Sequence, residues 1–134
     1  MKHQALTSMI PIGTAREESL IVTDELTVGY RVPGMPMVFA TPQMIFAMEI
    51  ACAASIAPLL PDGSVSVGTH VDVKHLAATA VGATVRTTST VTVITEQLVT
   101  FEVLSYEGTK LVGQGTHTRA CVALERFMSG VNRQ

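Results

Sequence analysis

The chain has 134 residues, 47% of them apolar and only 15% charged, with a formal net charge of -2. That length suits one domain spanning 1–134 with a sizeable core, and the near-neutral balance gives no electrostatic reason to expect nucleic acid or a membrane surface as partner. Two cysteines, Cys52 and Cys121, are too few for a disulfide framework and point to a reducing compartment, while the low charge content predicts a second subunit covering part of the surface.

Residues 1–17 carry Pro11 and Gly13 and read as a leader or an early edge strand. They lack the long apolar core of a signal peptide, so a cytoplasmic location is expected. Residues 18–30 contain an alternating section and read as a first strand. Over 31–38, Pro33, Gly34 and Pro36 argue for a loop. Its Met35 and Met37 are flexible apolar side chains that either line an adaptable pocket or close the core beneath the loop.

The stretch 41–60, TPQMIFAMEIACAASIAPLL, is the dominant feature. Thr41 reads as an N-cap and Pro42 as the first helical residue. A helix apolar on all sides is normally buried. Glu49, its only charge, is therefore expected inside the protein, where an unpaired carboxylate is costly. The stretch is too short, and too interrupted by Glu49 and Pro58, for a membrane span. Cys52 reads as a small core residue.

Pro61, Asp62 and Gly63 signal a turn. Ser64–His75 then alternates, with Val65, Val67, Thr69, Val71, Val73 and His75 on one face and Ser66, Gly68, His70, Asp72 and Lys74 on the other. That pattern predicts a half-buried strand with His75 ending its apolar face. A bend is expected over 77–82, a long β-branched strand over 83–95, and two further strands over 98–106 and 110–124 that complete a meander. His70, Asp72 and His117 match no strong metal motif, so no metal is expected.

One helix cannot cover both faces of such a sheet, nor can five strands enclose an all-round apolar helix. An antiparallel sheet wrapped around one long central helix, completed by dimerisation, satisfies both demands. The expected class is thus α+β with the hot-dog fold.

Three separated stretches, VFATPQMIFAMEIACAASIAPLL, VGTHVDVKHLAATAVGATV and GQGTHTRACVALERF, keep their order and spacing across 38–127. In them the chain resembles the fluoroacetyl-CoA thioesterase family of hot-dog proteins. The resemblance implies a catalytic threonine, glutamate and histidine at Thr41, Glu49 and His75, and substrate-binding roles for Gly68 and Arg119. It also implies hydrolysis of a short-chain acyl-CoA by a homodimer, with no cofactor beyond the CoA of the substrate. The departure lies in the preceding loop, where Val32 and Met35 stand at places held by lid phenylalanines in the fluoroacetyl-specific member. Thioester hydrolysis therefore carries over better than the fluoroacetyl preference.

Thioester hydrolysis needs a nucleophile or activated water, a proton shuttle and donors for the oxyanion. Glu49 can attack or activate water, His75 can shuttle a proton and orient that carboxylate, and Thr41 offers a hydroxyl at a helix N-terminus that favours negative charge. Taken singly each has a plainer reading. Thr41 would be an N-cap, Glu49 a partnered structural acid and His75 a satisfied core histidine. Gly68 would relieve packing, and Arg119 would be an exposed strand cation. The alternative function is a non-enzymatic acyl-CoA or small-ligand-binding hot-dog protein, with a dehydratase as a further rival. A binder has no need of an acid–base pair, which favours the enzyme. Thr41 and Glu49 sit about 12 Å apart along one helix at ~1.5 Å per residue. Either the helix starts later than Thr41 or a partner subunit brings its Glu49–His75 pair to Thr41, and the low charge content and the fold's need for a covered flank favour the second.

Overall fold

Runs rich in valine and threonine fit a pleated, half-buried surface, and they form the strands here. The computed structural model describes residues 6–133, so the first five residues of the expected leader lie outside it. After a single turn of helix, α1 (Leu6–Met9), the chain forms β1 (Ala15–Ile21), a short helix α2 (Val28–Arg31) and the long helix α3 (Thr41–Ile56). Strands β2 (Ser64–His75), β3 (Thr84–Ile94), β4 (Leu98–Glu107) and β5 (Lys110–Ala123) follow, and α4 (Leu124–Asn132) ends the described chain. All pairings are antiparallel, in the order β1-β3-β4-β5-β2.

Helix α3 lies across the sheet and contacts every strand. Pro42 sits in its first turn and Pro58, in the 3-10 turn after it, prevents its continuation. Alternate residues of the central strands face it: Val85, Thr87, Ser89 and Val91 from β3, and Val99, Phe101, Val103 and Ser105 from β4, all buried. Thr87 and Ser105 share a 2.8 Å hydrogen bond, which satisfies two hydroxyls beneath the helix.

Four expectations need correction. The first strand is Ala15–Ile21 at the sheet edge, not 18–30, because the chain leaves the extended form for a 3-10 turn at Asp24–Leu26 and Thr27 then caps α2, its hydroxyl accepting from the Tyr30 N–H and donating to the Asp24 carbonyl. Residues 77–82 are no simple bend. They belong to a crossover from one edge of the sheet to β3, tied to the entry of α3 by the Phe39 N–H on the Thr79 carbonyl. Helix α3 is not enclosed all round, since one sheet covers only one face. Met44, Ala47, Met48, Ala51, Cys52 and Ile56 are buried, whereas Phe46 and Ile50 on the other side are 56% and 44% exposed.

The last correction governs the site. The β2–β5 register passes from Gly68–Arg119 to His70–Thr118, so Thr69 is an extra residue, a β-bulge. A one-residue insertion exchanges the two faces of a strand. Before the bulge Ser66 and Gly68 face the helix; after it Val71, Val73 and His75 do. The single apolar face expected from Val65 to His75 is therefore two half-faces.

Candidate active site

Alanine at position 40 cannot cap a helix with its side chain, and the backbone places Thr41 inside the first turn of α3 rather than at the cap. The threonine hydroxyl is thus free of the capping role expected for it. Its Oγ1 lies 2.7 Å from Nδ1 of His75, the last residue of β2. The His75 ring meets Phe39 edge to face at 6.4 Å, and its Nε2 is buried with no hydrogen-bond partner among the described residues. Burial pushes the His75 pKa below its ordinary 6.5, which favours the neutral imidazole. A short contact between a hydroxyl and a neutral imidazole is the geometry of a nucleophile and its base.

This pair opens onto a cleft of about 460 Å³ whose other walls include Val28, Val38, Phe39, Ala40 and Leu76. Those other walls are apolar, so Thr41 and His75 bring polar groups to an otherwise apolar lining. Val32 and Met35 are about half exposed and lie in the neighbouring loop, outside the lining of the cleft.

Glu49 is elsewhere. Within the chain it joins not His75, the partner expected for it, but a second cluster on β5. Its side chain is 34% exposed and its Oε2 lies 3.7 Å from Arg119 Nη1 and 4.0 Å from His117 Nε2. The sheet covers only one face of α3, so Glu49 is half-buried rather than enclosed. Gly68 is what lets it approach, because a Cβ there would meet Glu49 Oε2 at 2.6 Å.

Arg119, read on its own as an exposed strand cation, is buried. Its Nε donates to Ser66 Oγ and its Nη2 to the Ser66 carbonyl, both at 2.7 Å, and its Nη1 lies 3.1 Å from His117 Nε2. Burial lowers its pKa, against the opposing pull of Glu49. Cys52 beside it has its thiol pushed up to about 12 by burial, which fits a core residue and not a nucleophile.

Sequence reasoning missed Ser66 and His117 as members of this cluster. His117 was legible, because it stands two residues before Arg119 and so shares its strand face. Ser66 was not, since its face could be assigned only once the bulge was known. Among the described residues no three of His, Cys, Asp and Glu gather around a common point.

Residues 22–125 match the family model of the fluoroacetyl-CoA-specific thioesterases. A fluoroacetyl-CoA thioesterase of Streptantibioticus cattleyicolor is 38% identical over 99 residues, which cover 74% of this chain and 71% of that protein. A solved structure of a fluoroacetyl-CoA thioesterase superposes with a TM-score of 0.88 at 33% identity, covering 93% of this chain and 97% of that one. A hot-dog-like protein from Thermanaerovibrio acidaminovorans has the same TM-score, 0.88, at 24% identity, with 96% and 95% covered. The fold is the hot-dog fold.

Proposed function

Because the chain belongs to the fluoroacetyl-CoA-specific thioesterase family, we propose that it hydrolyses a short-chain acyl-CoA thioester to the free acid and CoA through Thr41, His75 and Glu49. The observation that carries this is the 2.7 Å contact of Thr41 Oγ1 with His75 Nδ1 in the lining of a largely apolar cleft, which suits an acyl chain. Thr41 Oγ1 attacks the thioester carbon while His75 Nδ1 takes its proton. The N-terminal turn of α3 favours the oxyanion that develops. The C–S bond then breaks, His75 returns the proton to sulfur, and CoA leaves as the thiol. Water attacks the acyl-threonine ester, one of its protons restores the threonine hydroxyl, and the acid departs.

Glu49 lies about 12 Å along the helix from Thr41 at ~1.5 Å per residue, and its neighbours are Arg119 and His117 instead of His75. Its carboxylate acts on the hydrolytic water at the Thr41–His75 pair of a second chain, in a homodimer. The division differs from the one expected from sequence, because Thr41 and His75 come from one chain and Glu49 from the other. Exposed Phe46 and Ile50 on α3, and the free edge of β2 beside exposed Val71, support such an interface.

The test is a panel of acetyl-, fluoroacetyl-, propionyl- and butyryl-CoA, read by thiol release from purified protein without added metal. Hydrolysis of at least one is expected. Thr41→Val and Glu49→Gln should each lose at least about 100-fold in kcat, the scale of a positioned acid–base group, with Tm retained. Val32 and Met35 in place of an aromatic lid predict similar kcat/KM for acetyl- and fluoroacetyl-CoA. Tight binding of every thioester with no turnover would instead support the ligand-binding protein.

A further inference from the structure

We infer that His117 is a positioning residue that holds the Arg119 guanidinium away from Glu49, so that the carboxylate keeps a nearby positive charge without being bridged by it. This rests on the catalytic role proposed for Glu49. Both ring nitrogens of His117 are assigned by their neighbours. Nδ1 lies 2.8 Å from the His70 carbonyl oxygen, which can only accept, so Nδ1 carries the proton. Nε2 lies 3.1 Å from Arg119 Nη1, which can only donate, so Nε2 offers its lone pair. His117 is therefore a neutral acceptor with one fixed tautomer. Burial acts in the same direction and holds its pKa below 6.5. Stacking on Phe101, with centroids 6.5 Å apart and planes at 26°, fixes the ring.

An arginine beside a carboxylate ordinarily binds it through two parallel hydrogen bonds. Here all three guanidinium nitrogens are engaged by neutral acceptors: Ser66 Oγ, the Ser66 carbonyl and His117 Nε2. Glu49 is left at 3.7 Å, inside ion-pair range and outside hydrogen-bond range. The bulge at Thr69 belongs to the same device, since it sets the register in which the His70 carbonyl meets His117.

His117→Phe keeps a flat ring against Phe101 and removes both nitrogens. The freed Nη1 then closes on Glu49. We expect kcat to fall about 100-fold, comparable to loss of a positioned acid–base group, with KM little changed. The acid limb of the kcat–pH profile should move to lower pH, because a bridged carboxylate holds its charge more strongly. The other titratable groups acting on this cluster are Cys52 on α3, His70 on β2 and Cys121 on β5, and all stay in place. His117→Gln, which restores an acceptor, should recover at least about tenfold, or 1.4 kcal/mol in the barrier. Ser66→Ala removes a second acceptor from the same guanidinium and should give a smaller loss with the same direction of pH shift. It serves alone if His117→Phe fails to fold. Losses without a pH shift, or equal losses in His117→Phe and His117→Gln, would mean a merely structural histidine and overturn the inference. So would wild-type behaviour of the histidine and serine variants while Glu49→Gln is inactive. An active Glu49→Gln would overturn the proposed function itself.

Discussion

A methyl group at Gly68 would meet Glu49 Oε2 at 2.6 Å and His117 Cε1 at 3.1 Å. The nearer obstacle is the tip of a flexible side chain, so the fold can absorb the change while the carboxylate moves. Gly68→Ala is expected to keep Tm within about 4 °C and to lower kcat more than about tenfold. Wild-type turnover would show that the carboxylate's place does not matter. His75 and His117 both titrate below 6.5 because of burial. Between those lowered values and 6.5 the unfolded chain binds protons that the folded chain refuses, so stability is lost as pH falls. Thermal melts at pH 7.5 and 5 should give the lower Tm at pH 5, and an unchanged Tm would contradict the assignment. At this scale family resemblance singled out Thr41, Glu49, His75, Gly68 and Arg119 as candidates. Their pairing was not legible, because Thr41 meets His75 across 34 positions of sequence and no spacing rule reports such a contact.

Strand β2 shows where pattern reading fails. Its bounds, Ser64–His75, agree with the alternation, yet the faces do not, because one inserted residue leaves the valine pattern looking continuous while reversing its sense. Gly68 on this strand and Gly115 on its partner β5 separate two kinds of intolerance. A Cβ at Gly115 would lie 2.1 Å from the Asp72 carbonyl oxygen and 2.5 Å from Val73 Cα, both backbone atoms of β2. Backbone in a paired ladder cannot step aside. Gly115→Ala is therefore expected to destabilise by about 3 kcal/mol, the upper part of the overpacking range, seen as a lower urea midpoint. A midpoint equal to that of Gly68→Ala would remove the distinction. Helix α4 follows the last strand directly, and its Leu124, Phe127, Met128 and Val131 stand at helical spacing. The strand before it runs to Ala123 with no glycine or proline to mark the change.

For the whole molecule, the order of strand, helix and four strands was legible from hydropathy, while the crossover that separates β2 from β3 was not, since adjacent strands in sequence more often pair. Mixed Thr41→Val and Glu49→Gln chains, exchanged into verified heterodimers, should regain about one working site per dimer by the two-fold symmetry of such an interface. No recovery would place all three groups in one chain. The strand order also has a consequence for biosynthesis. The sheet partner of β2 is β5, the last strand, so β2 waits unpaired while β3 and β4 are made. Hairpins β3–β4 and β4–β5 are local and quick to form, whereas β1 and β2 must find partners far along the chain. A nascent chain thus carries Thr41, Glu49 and His75 long before it can assemble them. Until residues near 123 leave the ribosome, the apolar face of α3 lacks a complete sheet to lie on and stays open to non-native contacts.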